Sequence, residues 1–263
     1  MRPLIALLTD FGTADHYAGT MKGVMLGICP EATLVDITHD IAPHDVVEAA
    51  LQLSAAFRYF PPSTIFLVVV DPGVGSARRG IAVEAGDYRF VSPDNGVLTA
   101  ALRDLPPRRI VELTERRYAR PTVSRTFEGR DRFAPAAAWL ARGIQLGALG
   151  RPLAECLRLD IPVPDVAVDV LNGVVLTVDR FGNLVTNIDR RTFETFARGA
   201  SLEIVAGSVP VSRLVSTYAD IAPGELCALF GSSDHLELAA HAAPAAGATG
   251  LGRGASIRIQ RFP

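Results

Sequence analysis

Hydrophobic runs and helix-like stripes alternate along the first part of the chain, up to about residue 150. Residues 63–70 form a β-branched and aromatic run without polar alternation, which predicts a strand covered on both faces. Residues 15–28 place apolar side chains on one helical stripe, and Pro30 follows directly. Alternating strands and helices predict an α/β domain whose central sheet is flanked by helices. The predicted strands are residues 3–8, 34–37, 63–70, 80–84 and 89–91, and the predicted helices are residues 15–28, 45–59, 96–102 and 134–144.

The pattern changes at residues 159–165, where two prolines one residue apart favour an extended connector. Helical periodicity largely disappears beyond it, and recurring short strand-like runs predict a small β-barrel or sandwich. We therefore predict an α/β domain at residues 1–160 and an all-β, barrel-like domain at residues 168–263. The predicted strands of the second domain are residues 174–178, 184–188, 202–205, 227–230, 236–238 and 257–259, and the alanine-rich residues 239–248 are expected to form a surface loop.

Composition and charge exclude several classes of protein. The 263 residues are 49% hydrophobic, enough to bury a full core. A formal net charge of −2 provides no excess of positive charge for binding nucleic acid or an anionic membrane. Arg108 and Arg109 are expected to be solvated loop charges. The apolar run at residues 3–8 ends at Asp10, too short for a membrane span. Three scattered cysteines lack the spacing of a metal site or a disulfide framework, so we expect a cytoplasmic protein without a bound metal.

Two of the predicted strands end on a carboxylate that glycine follows, at Asp10 and at Asp71. Ligands of α/β sheets bind outside the carboxyl ends of strands, and an ionised carboxylate can accept two hydrogen bonds from a vicinal diol such as a ribose. After Asp71 come a glycine-rich turn and the pair Arg78-Arg79, which suggests a ligand site. Turn and capping chemistry explains the same residues without a ligand, and both readings stay open at this point.

Other polar clusters are less specific. The His-Asp pairs at 39–40 and 44–45 offer metal donors, but their spacing fits no template, and we expect surface loops or helix caps. Residues 92–96 and 126–131 each precede a predicted helix, where capping and solvated charge explain them. The chain has no phosphate-binding Walker loop and no Gly-x-Ser-x-Gly elbow, which removes support for nucleoside triphosphate binding and for serine hydrolysis.

Six short motifs nevertheless stand in order along nearly the whole chain. They are Leu-Thr-Asp-Phe-Gly at 8–12, Asp-Pro-Gly-Val-Gly at 71–75, Pro-Asp-Asn-Gly at 93–96, Thr-Phe-x-Gly-Arg-Asp at 126–131, Asp-x-Phe-Gly-Asn at 179–183 and Gly-Ser-x-Asp-x-Leu-Glu at 231–237. Together they resemble the S-adenosyl-L-methionine (SAM) hydrolase, or SAM hydroxide adenosyltransferase, family, which is related to the SAM-dependent fluorinases and chlorinases.

The resemblance implies a specific reaction and assembly. Water or hydroxide would attack C5′ of the ribose and release adenosine and L-methionine, with SAM as substrate and no separate cofactor. The fold implied is an N-terminal α/β domain and a C-terminal β-barrel domain. The chain would form a homotrimer in which SAM binds between the N-terminal domain of one subunit and the C-terminal domain of its neighbour.

The resemblance also implies substrate contacts at matching motif positions. Asp10 would bind the ribose diol with Phe11 beside it, and Phe127 would form a wall near the ribose. His44 stands where halogenase relatives carry an aromatic residue, so it is expected to line the pocket. The contacts implied for the second domain are Asp179 with the methionine ammonium, Phe181 and Asn183 with the adenine, and the backbone around Ser232 and Ser233 with the methionine carboxylate.

One departure concerns the attacking water. The hydrolases use an Asp-Arg-His set, and here Asp71 and Arg78 match while Glu128 replaces the histidine. Asp, Arg and neutral His carry no net charge, whereas Asp, Arg and Glu carry one negative charge. The first hypothesis is a hydrolase in which Glu128 takes over the histidine's role, and the second is a SAM- or adenosine-binding protein with negligible turnover. A halogenase is a weaker alternative, since halogenase relatives have an aromatic residue in place of Asp71 and a carboxylate repels halide.

Overall fold

The computed structural model describes residues 2–262. The chain divides between Ile161 and Pro162 into two compact units, here called the N-terminal unit and the C-terminal unit. The division falls within the two-proline segment at residues 159–165.

A mixed seven-stranded sheet forms the centre of the N-terminal unit. Its strand order is β2-β1-β3-β5-β4-β6-β7, in which β2, β1, β3 and β5 are parallel and β4, β6 and β7 are joined antiparallel. The strands are β1 Leu4–Thr9, β2 Thr33–Thr38, β3 Ile65–Val69, β4 Gly80–Ala85, β5 Tyr88–Pro93, β6 Pro107–Leu113 and β7 Gly150–Leu153.

Helices cover both faces of this sheet, as predicted. They are α1 Tyr17–Ile28, α2 Val46–Ala56, α3 Thr99–Asp104 and α4 Ala134–Ala141. Along β3, Leu67 packs in one core with Met21 of α1, while Val68 packs in the opposite core with Leu53 of α2. The unbroken hydrophobic run of β3 therefore serves two cores, which confirms the predicted α/β class.

Several boundaries differ from the prediction. The sequence did not predict β6, and Arg108 and Arg109 are exposed residues of this strand rather than loop charges. Helix α3 begins later than predicted, because Gly96 adopts a φ of 89° and forms a turn first. Helix α4 ends at Ala141, shortly before Gly143 with a φ of 90°.

The C-terminal unit is a nearly closed antiparallel sheet, which confirms the predicted barrel-like class. Its order is β12-β11-β15-β9-β10-β14-β13, with β8 paired to β9. Backbone hydrogen bonds between Val215 N and Ala228 O and between Ala228 N and Arg213 O link the segment after β12 to β13. The strands are β8 Asp165–Val166, β9 Val170–Val178, β10 Leu184–Asp189, β11 Ser201–Ala206, β12 Val209–Val211, β13 Leu226–Phe230, β14 His235–Ala240 and β15 Ser256–Phe262.

Two short helices in this unit were not predicted. Helix α5 spans Arg190–Ala197 and buries Phe193 and Phe196. Asp189 caps its N-terminus, where the Asp189 side chain accepts a hydrogen bond from Thr192 N. Helix α6, Ala245–Thr249, and the end of β14 occupy the alanine-rich segment. The surface-loop prediction for residues 239–248 was wrong at both ends, where Ala239, Ala240 and Ala245 are buried in β14 and α6. Residues 241–244 between them form a turn that is partly exposed, as expected.

Across residues 2–262, no helix combines the length and apolar character that crossing a membrane requires.

Candidate active site

Two strand ends bring Asp10 and Asp71 to one edge of the N-terminal sheet. Strands β1 and β3 are parallel neighbours, and Thr9 is paired with Val69. Both carboxylates therefore follow the carboxyl ends of adjacent strands, the edge at which α/β sheets bind ligands.

Arg78 joins Asp71 to Glu128. Its Nε donates to Asp71 Oδ1 at 2.9 Å, and its Nη2 donates to Asp71 Oδ2 and to Glu128 Oε2. The guanidinium lies over the Phe133 ring, 5.0 Å from the centroid. The exposed fractions of the side chains are 9% for Arg78, 6% for Asp71 and 11% for Glu128. Water therefore screens these charges only weakly.

A tight turn at residues 71–78 returns Arg78 to Asp71. Gly75 has a φ of 78°, and a Cβ there would overlap the carbonyl oxygen of Arg125. Ser76 Oγ donates to Gly73 O at 2.6 Å and closes the turn. The backbone of this turn thus requires glycine at position 75.

The Pro-Asp-Asn-Gly motif holds both ends of that turn. Asn95 Nδ2 donates to Val70 O at 2.8 Å, and its Oδ1 accepts from Val97 N at 3.1 Å. Arg79 Nε donates at 2.7 Å to the buried Asp94 carboxylate. The prediction that this motif caps helix α3 was wrong, because the helix begins at Thr99 after Leu98 and has no side-chain cap. The motif instead holds the turn before that helix and the segment that carries Arg78.

Glu128 lies at the start of a π-helical turn, Gly129–Phe133, that leads into α4. Ala134 N donates to Gly129 O, five residues earlier, and π-turns occur frequently at functional sites. Within this turn, Arg132 places Nη2 at 3.3 Å from Glu128 Oε1. Each oxygen of Glu128 therefore faces a guanidinium.

The carboxylate of Asp131 anchors the same turn from inside the fold. Arg130 donates Nε and Nη2 to its two oxygens at 2.7 Å, and Ser124 N donates to Oδ2 at 2.8 Å. Burial alone would raise the pKa of this carboxyl, but the hydrogen bonds from Arg130 and Ser124 outweigh it and lower the pKa. Asp131 is therefore paired within the fold rather than solvated, while Arg130 pairs with it and keeps 32% of its side chain exposed.

Asp10 is bound by the backbone of the neighbouring loop. His44 N donates to Asp10 Oδ2 at 2.9 Å, and His44 adopts a left-handed φ of 68°. No other hydrogen bond within residues 2–262 engages this carboxylate, so its second oxygen is available to a hydroxyl donor. The contact from His44 to this site is made by its backbone, while its side chain is exposed.

His39 is buried beneath the Asp10 loop, so the surface-loop prediction was wrong for this residue. Its Nδ1 is 2.8 Å from Thr9 Oγ1, and its Nε2 lies 3.0 Å from Asp36 Oδ1. Lys22 Nζ binds the other oxygen of Asp36 at 2.6 Å. Burial opposes ionisation of Asp36, but hydrogen bonds with Lys22 and His39 lower its pKa.

Aromatic side chains from two motifs meet at this edge. The Phe11 and Phe127 ring centroids are 6.0 Å apart, and Tyr17 lies 5.8 Å from Phe11 and 5.1 Å from Phe127. Phe127 is buried, whereas Tyr17 is 41% exposed. The sequence placed Tyr17 on the apolar stripe of α1 and did not assign it to the site.

In the C-terminal unit, the loop between β9 and β10 is organised by Asp179. Its Oδ1 accepts from Phe181 N at 2.9 Å and Asn183 N at 2.8 Å, and its Oδ2 accepts from Asn183 Nδ2 at 2.8 Å. Asn183 is buried, while the Phe181 ring is 78% exposed. The loop therefore presents a carboxylate with remaining acceptor capacity next to an exposed aromatic ring.

Ser232 and Ser233 form the turn between β13 and β14. Gly231 N donates to His235 O at 3.1 Å across this turn. Within the described residues, no hydrogen bond engages the backbone N–H of Ser232 or Ser233, and the buried Ser233 Oγ also has no partner. Unpartnered donors in one turn suit an anionic group.

Glu237 connects this turn to the Asp179 loop, and the sequence did not assign it to the site. It is paired with Val185 of β10, and its carboxyl lies against Gly231. Burial raises the pKa of Glu237, the nearby charge of Asp179 raises it further, and a hydrogen bond with Tyr218 opposes both effects.

Both units match one protein family. Residues 5–150 match the SAM hydroxide adenosyltransferase N-terminal domain, and residues 173–258 match the corresponding C-terminal domain. The chain belongs to the SAM hydroxide adenosyltransferase family.

Relatives of this chain include two kinds of enzyme. The (R)-S-adenosyl-L-methionine hydrolase of Salinispora tropica is 39% identical, covering 98% of this chain and 97% of that protein. The fluorinase of an Actinoplanes species is 31% identical, covering 98% of each chain. A crystal structure of an uncharacterized conserved protein from Thermotoga maritima has a TM-score of 0.92 and 36% identity, covering 98% of this chain and 100% of that one.

Sequence reasoning missed Arg132 in this family member, although its spacing of four residues from Glu128 is a recognised signal for ion pairs on a helix. It also missed the contact between His39 and Thr9, which depends on the pairing of β1 with β2. Among residues 2–262, no group of three or more His, Cys, Asp or Glu side chains is arranged to hold a metal ion.

Proposed function

We propose that this protein is a SAM hydrolase that uses water to cleave SAM to adenosine and L-methionine. The observation that carries the proposal is the convergence of Asp71, Arg78 and Glu128 at the sheet edge that also carries Asp10. The activity named for the Salinispora tropica relative supports the same reaction.

The reaction is a substitution at C5′ of the ribose. An oxygen lone pair of water forms the new C5′–O bond while the C5′–S bond breaks, and that electron pair remains on sulfur. Methionine therefore leaves as a neutral thioether. The proton lost by water passes to a carboxylate of the site and then to solvent, so that atoms and charges balance.

In this proposal, Asp71, Arg78 and Glu128 position the attacking water. Positioning of the water contributes more to the rate than proton transfer to a base. An effective molarity of ~10⁵ M lowers the barrier by about 7 kcal/mol. A positioned base accelerates the reaction by roughly 10²–10⁴-fold, which is a smaller effect. Sulfonium is already a good leaving group. A carboxylate held by two guanidiniums can hold water in line with the C5′–S bond.

The remaining residues bind the substrate. Asp10 accepts hydrogen bonds from the ribose diol beside Phe11 and Phe127, and the His44 backbone holds Asp10 in place. The proposed contacts of the C-terminal unit are Asp179 with the methionine ammonium, Phe181 and Asn183 with the adenine, and the turn at Ser232 and Ser233 with the methionine carboxylate. SAM is the substrate, and no separate cofactor takes part.

A homotrimer is part of the proposal, with SAM held between one subunit's N-terminal unit and a neighbour's C-terminal unit. Sedimentation velocity tests the trimer. Mixing Asp10→Ala with Asp179→Ala subunits tests the shared site, because hybrid trimers contain some intact sites and regain activity.

A cytoplasmic location is also proposed, supported by three free cysteines, and fractionation of expressing cells tests it.

The central experiment is incubation of purified protein with SAM in ¹⁸O water. We expect adenosine with ¹⁸O in its 5′-hydroxyl and equimolar L-methionine, measured by mass spectrometry. Labelling at this oxygen establishes attack at carbon. No adenosine above background at any pH from 6 to 10 would overturn the proposal.

The second candidate is a SAM- or adenosine-binding protein with negligible turnover. The presence of Glu128 where the family motif has histidine favours it, because both oxygens of Glu128 already face cations. Calorimetric SAM binding without adenosine release would support this candidate, and multiple turnovers would exclude it.

The fluorinase relative raises the question of halide as the attacking group. The carboxylate oxygens of Asp71 and Glu128 at the proposed water position accept hydrogen bonds from water, whereas a halide anion has no proton to donate to them. We therefore expect no 5′-chloro-5′-deoxyadenosine in high chloride, and its formation would contradict the assignment of water.

A further inference from the structure

Glu128 adds a negative charge to a buried site that already contains Asp71. Arg78 alone leaves that set with one unmatched negative charge, and the exposed fractions of all three side chains are close to 10%. An unmatched charge in such surroundings is strongly unfavourable. A second cation close to Glu128 would balance this unmatched charge.

Arg132 is placed to supply that cation. Its Nη2 lies 3.3 Å from Glu128 Oε1, whereas Arg78 binds the other oxygen, Oε2. Glu128 is the one ion partner of Arg132 within residues 2–262. The two carboxylates are thus matched by two guanidiniums.

Gly80 leaves space for the aliphatic part of the Arg132 side chain. A Cβ at Gly80 would lie 2.7 Å from Phe133 Cε1 and 3.4 Å from Arg132 Cδ, so the absent side chain leaves room for both. The guanidinium of Arg78 lies over the same Phe133 ring. Arg78 and Arg132 therefore approach Glu128 from a shared, closely packed region.

We propose that Arg132 is a positioning residue that orients Glu128 and balances its charge, so that a carboxylate can stand where the family motif has histidine. The proposal rests on the hydrolase function. Arg132 does not touch the attacking water and acts through Glu128. The 3.3 Å contact to Oε1 is looser than the contacts of Arg78, which leaves Oε1 the more available oxygen for a water proton.

The test compares kcat and KM for SAM in the full-length protein and its variants. R132M keeps the apolar stem and removes the charge, and we expect a kcat about tenfold lower with KM changed less than about twofold. R132K restores a cation, and its kcat is expected within about threefold of wild type. R151M is the matched control, because Arg151 Nη2 also lies 3.3 Å from a glutamate, Glu112, but on an exposed surface.

The E128H background separates positioning from general structural support. An imidazole brings no negative charge, so R132M is expected to leave the kcat of E128H unchanged within about twofold. A tenfold loss in that background as well would overturn the proposal. Thermal melts accompany each variant, and R132Q replaces R132M if the latter is unstable.

The outcomes distinguish this proposal from the proposed function. Turnover by wild type together with an unchanged R132M overturns the role of Arg132 alone. Absence of adenosine from wild type overturns the hydrolase function and this inference with it.

Discussion

Arg78 makes the contacts that connect the candidate site, because its guanidinium binds both Asp71 and Glu128. A guanidinium presents several donors in a rigid plane, whereas a lysine ammonium is a point charge on a flexible stem. The charge of residue 78 and its geometry can therefore be tested separately.

We expect Arg78→Lys to lower kcat roughly 100-fold, with KM for SAM changed less than about threefold, because a single ammonium cannot hold both carboxylates in the same geometry. Adenosine release measures both constants. Arg103→Lys, at an exposed ion pair on α3, is the control and should match wild type. If Arg78→Lys kept the kcat of wild type, Arg78 would have no role in positioning the attacking water.

Glu237 gives a prediction on pH and stability. Burial and the charge of Asp179 raise its pKa in the folded state, so the folded protein binds this proton more tightly than the unfolded chain. The contribution of protonated Glu237 to the free energy of unfolding is therefore fully present below the ordinary glutamate pKa of about 4.3. This contribution is lost as pH rises through the raised pKa.

We expect Glu237→Gln to raise Tm by roughly 3 °C at pH 8 and to change it little at pH 4, since glutamine keeps a polar group and carries no charge. Calorimetry at both pH values measures the effect. Glu203→Gln, at an exposed position of β11, should show no such difference. A Tm difference that is the same at both pH values would contradict the assignment.

At the scale of elements, the turn at residues 71–78 determines where Asp71 and Arg78 meet. Gly75→Ala introduces strain at a φ of 78° and an overlap with the Arg125 carbonyl, which must move the turn. We expect a loss of about 2–3 kcal/mol of stability and a lower kcat. Denaturant unfolding and adenosine release provide the measurements.

Gly143→Ala is the matched control for that variant. Gly143 also has a left-handed φ, of 90°, but a Cβ there would meet nothing within 4 Å. It therefore reports the cost of backbone strain alone, and kcat should be unchanged. If the two variants behave alike, the overlap with Arg125 has no part in positioning Arg78.

Predictability of the elements follows their hydrophobic patterns. The run of β3 and the stripe of α1 are unambiguous, since each uses one period throughout. Strand β6 begins with a proline and two arginines, so it gives no clear strand signal. Helix α5 carried signals that the sequence prediction missed, namely the cap at Asp189 and the spacing of Phe193 and Phe196 on one face. The π-turn before α4 has no sequence period of its own, because its extra residue depends on the surrounding packing.

Predictability of the site followed a similar rule. Strand ends placed Asp10 and Asp71 at one edge, because parallel strands share their carboxyl ends. The contacts of His39 with Thr9 and of Glu237 with Gly231 depend on strand pairing, which the sequence pattern does not specify at the level of single residues.

At the scale of the molecule, each unit has hydrophobic clusters of its own. We expect residues 1–161 and residues 162–263, produced separately, each to unfold cooperatively in circular dichroism melts. Neither fragment should release adenosine, because the proposed substrate contacts are divided between the units. Full turnover by residues 1–161 alone would show that the contacts of the C-terminal unit are dispensable.

The pairing of β1 with β3 has a consequence for how this fold can diversify. Neighbouring strands are held about 4.8 Å apart by their backbone hydrogen bonds, a spacing that side-chain substitution does not alter. Because Thr9 is paired with Val69, this spacing fixes the backbone positions from which the Asp10 and Asp71 side chains extend. The sheet thus fixes the distance between the backbone of the proposed ribose-binding carboxylate and that of the proposed water-positioning carboxylate. A change of substrate would then have to come from the loops, with that distance kept.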